Sequence, residues 1–342
     1  MSEQQPAEPA DPEAASPTEH PAGDRLRTSA EVAAEAGVPV ERARRLWRAL
    51  GFPDTGDAPA FTDADVEALS LVVETVADGT IDFETTVRLT RAVGSSMARL
   101  ADWQVSTLTE RIEATEPGSS HPDIRLSSAL RLVGQVGPAF EKLLVYVWRR
   151  HLSAAVGRIE ALSAAEEDLR AADLTVGFAD LVEFTALSND IDDERLAHVV
   201  ESFEACCADT VSGAGGRVIK TLGDSVLFVI DDPVAAVEVA LRIVEVIGSD
   251  ETLPDVRVGL ASGSVIFRLG DVFGAPVNLA SRLTGLARRN RVICDVATQE
   301  AVQEHRGYET RALPPRSVRG FGVLEPTAVR RTWADQPAPE QP

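Results

Sequence analysis

The spacing of apolar residues changes once along this chain, and that change restricts its fold more than any other feature. Ahead of about Ala171, large apolar residues recur every three or four positions: Val87, Val93, Met97, Leu100 and Trp103, then Phe140, Leu143, Val147, Val156, Ile159 and Leu162. That is the period of helices burying one stripe. Beyond Ala171 the apolar residues gather into short runs, Leu174–Asp180, Arg217–Leu222, Ser225–Ile230, Val256–Phe267 and Val292–Asp295, which read as strands. Helices are predicted between them, at about Asp192–Val211, Pro233–Ile247 and Pro276–Ala287. The reading is an all-α region followed by an α+β domain, and 342 residues are enough for both.

Residues 1–24 are rich in Ala, Pro, Glu and Asp and contain neither Lys nor Arg, and 333–342 are similarly poor in large apolar groups; both are predicted to be disordered tails. The helical domain is expected over 25–160, a connector over 161–173 and the α+β domain over 174–332. Thr28-Ser29-Ala30-Glu31 has capping-box spacing and should open the first helix. Residues 29–47 then have helix-turn-helix texture, with Arg42, Arg44, Arg45 and Arg48 on the second helix. Pro138 is expected to open a later helix at its first turn. That helix should lead through Glu166, Glu167 and Asp168 into the second domain.

A formal charge of −21, from 54 acidic and 33 basic residues, opposes indiscriminate binding to phosphodiester backbones or anionic lipid. No run reaches the length of a membrane-spanning helix, and the acidic N-terminus does not have the order of a secretory signal. A cytoplasmic protein without membrane contact is expected. Cys206, Cys207 and Cys294 have neither metal-ligand spacing nor the number for a disulfide framework, and read as reduced, mostly buried thiols.

Three groups of residues stand out chemically. Asp180 ends a strand and Asp224 sits in the Gly-Asp turn of a predicted hairpin; two such carboxylates suit Mg²⁺, although strand-end and turn roles explain each equally well. Lys220 is one of only two lysines, and its compact ammonium suits contact with a single ring nitrogen as well as plain snorkelling to water. Asn278 and Arg282, four residues apart in a helix opened by Pro276, share one face, where an amide and a guanidinium fork can address one phosphate or simply face solvent.

Together these residues resemble the catalytic domain of class III nucleotide cyclases, from about Leu174 to Arg330. The resemblance rests on Phe178-Ala-Asp180-Leu-Val-Glu-Phe-Thr185, Lys220-Thr-Leu-Gly-Asp224, Asp271-Val-Phe-Gly274, Val277-Asn278-Leu-Ala-Ser-Arg282 and Val318-Arg319-Gly320, in family order. It implies a ferredoxin-like core that acts as a homodimer and converts a nucleoside triphosphate to its 3′,5′-cyclic monophosphate and pyrophosphate. Asp180 and Asp224 would hold two divalent ions, Mg²⁺ or Mn²⁺. Backbone amides from Leu181 to Thr185, including Phe184 and Thr185, would cradle the β- and γ-phosphates, with Arg319 as a late phosphate-contacting cation. The partner copy would supply Lys220 and Asp271 to the purine, Asn278 to the ribose and Arg282 to the transition state. A Lys/Asp pair matches the acceptor N1 and the exocyclic amine of adenine, whereas guanine reverses both polarities and would leave like groups facing each other; ATP is therefore the expected substrate. Glu183 departs from the family pattern, which usually has Gly there, and an added carboxylate would crowd the loop or repel the triphosphate.

The helical region resembles the regulatory domain of actinobacterial class III cyclases, some of them acid-activated. His121, His151 and His198 are candidate proton sensors, His151 being the best placed because it lies in the helix that leads into the connector. Two other functions stay open: a catalytically weak or dead nucleotide-binding module, motivated by Glu183, and a DNA-binding regulator, motivated by the arginine-bearing helix-turn-helix.

Overall fold

The computed structural model describes residues 26–115, 122–164, 171–268 and 270–332. The chain divides into two compact units, with the boundary between Val145 and Tyr146. Both tails, His121 and the acidic stretch Glu166–Asp168 lie outside the described residues.

The first unit is helical. Helix α1 (Ser29–Glu35) opens on the expected capping box, in which the Thr28 side chain accepts from the Glu31 amide and Glu31 reaches back to the Thr28 amide. After α2 (Val40–Leu50) and α3 (Asp63–Ala77) come two long helices, α4 (Phe83–Thr115) and α5 (Pro122–Ala164), the latter crossing the unit boundary. Val32, Ala43, Leu46, Leu69 and Val87 form the core, with Trp47 stacked on Phe61 at 4.2 Å between ring centroids. Three of the four arginines of α2 are committed inside the unit: Arg42 and Arg45 lie over the Phe83 ring, Arg45 forks onto Glu84, and Arg44 reaches Ser29 and Asp57, while Arg48 is exposed. Pro138 does not start a helix; it lies inside α5. Its ring crowds the carbonyl four residues earlier, which belongs to Gly134, and Gly137 directly precedes it. The residues on either side sustain the helix through it.

The second unit carries a mixed sheet. Its elements are β1 (Ala171–Leu181), α6 (Phe184–Asp190), α7 (Asp193–Gly213), β2 (Arg217–Thr221), β3 (Ser225–Ile230), α8 (Pro233–Gly248), β4 (Val256–Arg268), β5 (Asp271–Phe273), α9 (Ala275–Leu286), β6 (Arg291–Cys294), α10 (Val296–Val302), β7 (Tyr308–Ala312), β8 (Arg316–Val318), β9 (Gly322–Leu324) and β10 (Thr327–Arg331). The strand order is β2-β3-β1-β4-β6-β10-β7, with β5 on β4 and a separate β8-β9 hairpin. The first four strands are mutually antiparallel where they pair, so β1–α6–α7–β2 and β3–α8–β4 interleave as two split βαβ units, the ferredoxin-like arrangement. Strands β4 and β6 pair in parallel.

Alternation along the strands explains the apolar runs. Ala179, Leu181, Val226, Phe228, Val258 and Leu260 face α7 and α8, while Val176, Phe178, Leu227, Val229 and Ala261 face α9. A strand buried on both faces has no polar alternation to show. Gly259 brings α9 close, since a Cβ there would lie 2.3 Å from the Thr284 amide. The buried Thr284 hydroxyl, 2.8 Å from the Ala280 carbonyl, reaches the Phe178 carbonyl on β1 at 3.2 Å. These contacts fix α9 against β1 and β4. Cys207 and Cys294 are buried, and burial pushes both thiols well above the usual thiol range.

Candidate active site

Asp180, second to last in β1, is opposite Ser225 on β3 and Arg257 on β4. Directly opposed residues place their side chains on one face of a sheet, here the α9 face. Both neighbours engage the Asp180 carboxylate. The Ser225 hydroxyl donates to one oxygen, and Arg257 donates through Nε at 2.7 Å and Nη2 at 2.6 Å to the other. Asp224 lies in the β2–β3 turn, tied to the end of β1 by the Leu181 amide on its carbonyl at 2.9 Å. Asp180 stands opposite Ser225, the residue after Asp224, and opposed residues have Cα atoms about 5 Å apart, so the two carboxylates lie at one corner of the sheet. Burial, and after it the Asp180 charge, holds the Asp224 carboxyl above its ordinary value. No ion pair reaches Asp224 among the described residues. Two hard oxygen donors in mutual repulsion fit a divalent cation such as Mg²⁺ or Mn²⁺.

A β-bulge between Val218 and Lys220 re-registers β2 so that Lys220 stands opposite Leu227. Its Nζ lies 2.5 Å from Oδ2 of Asp271 on β5. Burial acts to raise the Asp271 pKa, but the Lys220 hydrogen bond, the Val272 amide and the Lys220 charge outweigh it and hold the carboxyl below the usual range. Asn278 and Arg282 occupy one exposed face of α9, opposite the face that Ala280 and Leu283 bury. Arg319 is exposed in the turn of the β8-β9 hairpin. The structure thus brings together Asp180 with Asp224, Lys220 with Asp271, and Asn278 with Arg282. Among the described residues no hydrogen bond or ion pair joins these groups to one another or to Arg319.

The turn out of β1 differs from expectation. The amides of Leu181 and Val182 donate to the carbonyls of Asp224 and Asp255. They are therefore spent on backbone partners, and of the expected Leu181–Thr185 cradle the amides of Glu183, Phe184 and Thr185 remain. Phe184 packs on the α7/α8 core and Thr185 is exposed. Glu183 adopts the left-handed conformation, φ 59° and ψ 23°, the region in which glycine is at ease, and its carboxylate pairs with Arg289 at 2.6 Å.

Comparison with known proteins bears directly on this arrangement. Residues 167–330 match the family model described as the adenylate and guanylate cyclase catalytic domain, and residues 9–155 match the adenylate cyclase regulatory domain. An adenylate cyclase of Streptomyces coelicolor is 40% identical, the match covering 94% of this chain and 92% of the relative. The chain belongs to the class III adenylate cyclase family. A second relative in the family, the adenylate cyclase of Streptomyces griseus, is 41% identical over 90% of this chain and 86% of its own. A pH-sensitive adenylate cyclase of Mycobacterium tuberculosis is 32% identical over 92% of this chain and 81% of its own. The second unit accordingly has the class III cyclase catalytic fold, with the family's helical regulatory region ahead of it, and no helix among the described residues is long and apolar enough to cross a membrane.

Two residues of this candidate site escaped the sequence reading. Arg257 carries the only charge between Val256 and Phe267, which is a usable signal, but its partner lies 77 residues earlier and only the β1–β4 register identifies it. Ser225 directly follows Asp224 and gave no signal beyond its place at the head of a strand.

Proposed function

We propose that this cyclase converts ATP to 3′,5′-cyclic AMP and pyrophosphate in the cytoplasm, at sites shared between two copies of the chain. The observation that carries the substrate choice is the preformed Lys220–Asp271 pair at 2.5 Å. It presents a donor and an acceptor side by side, matching N1 and the exocyclic amine of adenine and opposing the polarity of guanine. Asp180 and Asp224 would hold two Mg²⁺ or Mn²⁺ ions, which would supply charge to activate the ribose 3′-hydroxyl and to neutralise the phosphates. The loop amides at Glu183, Phe184 and Thr185, with Arg319, would orient the triphosphate. Asn278 and Arg282 stand exposed, with no side-chain hydrogen bond or ion pair among the described residues. From the second copy, Asn278 would orient the ribose, and the Arg282 guanidinium would stabilise charge developing on the reacting phosphate.

The test is incubation of the full chain with ATP or GTP and each metal, reading cyclic product and pyrophosphate. ATP should be the faster substrate. Asp180→Asn and Asp224→Asn should each lower kcat by about 100-fold or more and abolish the rise in Tm that metal gives the parent. Preference for GTP, or retained activity in either variant, overturns the reading. Nucleotide binding without pyrophosphate release would mark a dead module, and a duplex-DNA gel shift would favour a regulator, for which the α2 arginines are poorly disposed.

The pH-sensitive relative supports control by protons. His151 is exposed on α5, and its helical neighbours Val147, Trp148, Ala154 and Ala155 carry no charge. Its protonation would add to the charge of Arg149, Arg150 and Arg158 along this stretch of α5 and shift the regulatory state. An unchanged pH–activity curve for His151→Gln removes His151 from that role.

A further inference from the structure

Among the described residues only Glu183 and Asn290 are non-glycine residues with positive φ, at 59° and 50°. One continuous polar chain connects them. Arg289 donates from Nη2 to Oε1 of Glu183 at 2.6 Å, while its Nη1 lies 3.7 Å from Oδ2 of Asp255. The other Asp255 oxygen accepts from Nδ2 of Asn290 at 2.6 Å, and its carbonyl accepts from the Val182 amide at 2.7 Å. Asn290 is itself clamped to Val256, accepting from the Val256 amide at 3.1 Å and donating its own amide to the Val256 carbonyl at 2.7 Å. Three loops are joined in this way: the exit of β1, the entry to β4 and the α9–β6 turn. Strained backbone persists only where its surroundings over-determine it, and here both strained residues belong to the same network.

We propose that Arg289 is a positioning residue for substrate phosphate: it draws the Glu183 carboxylate out of the triphosphate site and braces the left-handed turn from which that site's loop starts. The proposal rests on the cyclase reading above. Glu183 follows Asp180 by three residues, so a free carboxylate there would add a third negative charge beside Asp180 and Asp224, where a polyanion must bind. The Arg289 guanidinium cancels that charge on the Asp255 side of the turn. Both side chains are more than half exposed, at 57% and 68%, so the pair is open to screening by salt. Added salt therefore weakens the brace, and ionic strength acts on substrate affinity through this pair.

A double-mutant cycle on the full chain tests this. Arg289→Gln should raise KM for metal–ATP about fivefold, equivalent to about 1 kcal/mol, with kcat within about twofold of the parent. Glu183→Gly in the same chain should restore KM, because it removes both the stray carboxylate and the strain. Glu183→Gln alone should leave KM at or below the parent value and make it less sensitive to salt, and this variant serves if Arg289→Gln does not fold. A KM unchanged by Arg289→Gln, a defect that persists in the double variant, or a raised KM in Glu183→Gln overturns the proposal. Calorimetric binding of a non-cyclisable ATP analogue repeats the cycle without turnover, so it still reads the Arg289 effect if the parent forms no cyclic product.

Discussion

The sheet and the long helices use apolar residues in opposite ways. In the sheet, β1, β3 and β4 are covered on both faces, and Val176, Leu227, Phe228 and Leu260 are essentially inaccessible. Along α4 and α5, Met97, Trp103, Tyr146, Trp148 and Leu152 are exposed, Trp148 at 61%. The sheet completes its own core within one chain, while Asn278 and Arg282 face away from it, with no side-chain hydrogen bond or ion pair among the described residues. The long helices carry large apolar residues that stand exposed among the described residues. Both features fit the proposed assembly from two copies, and they separate fold stability from activity.

The sharpest way to break the sheet is at Gly259. A Cβ there meets the Thr284 amide at 2.3 Å and the Ala280 carbonyl at 2.6 Å, and backbone cannot swing aside as a side-chain tip can. Gly259→Val should destabilise the second unit by about 3 kcal/mol, read as a lower Tm, and should abolish activity because α9 carries Asn278 and Arg282. A Tm equal to that of the parent would mean that α9 is not held closely to β4.

What was legible in the sequence follows the same division. Strands β1 to β4 were readable because burial on both faces leaves unbroken apolar runs. Asp180, Lys220 and Asp224 stood out as candidates because charges are conspicuous there. The capping box at Thr28 was readable because it is local. By contrast, β7 and β8 are short and mostly exposed, so they lack an apolar signature, and α6 is a single short helix shortly after β1. Pro138 misled because its usual place is the first turn, while a helix of 43 residues has enough other turns to tolerate one lost hydrogen bond. The bonds from Arg257 to Asp180 and from Arg289 to Glu183 depend on strand register and loop approach, which no local pattern encodes.

The exposed helix stripe can be tested at Trp148 and Leu152, which lie four apart on α5. Replacing both by Glu removes apolar surface and adds charge where a second copy would pack, while disturbing little inside the chain, since both are largely exposed. In sedimentation the double variant should shift toward monomer, with activity falling in proportion to the dimer lost and far-ultraviolet circular dichroism unchanged. A dimer that persists at full activity would assign this stripe no part in assembly.

The smallest expected effect separates Asp180 from Asp224, the two proposed metal ligands: their Asn variants should lose activity alike and change stability in opposite directions. Asp180 is the partner of a bidentate arginine and a serine hydroxyl. Asp180→Asn leaves the half-buried Arg257 guanidinium without its counter-charge, at a cost of about 1 kcal/mol. Asp224 has no such partner among the described residues, and its carboxyl is raised by burial and by Asp180. Asp224→Asn therefore relieves a repulsion, and the metal-free protein should melt slightly higher than the parent at neutral pH. Thermal unfolding in chelator reads both signs. Two losses of similar size would show that Arg257 neutralises the pair as a whole, and the comparison would then move to Arg257→Gln, which should lower stability only where both carboxylates are charged.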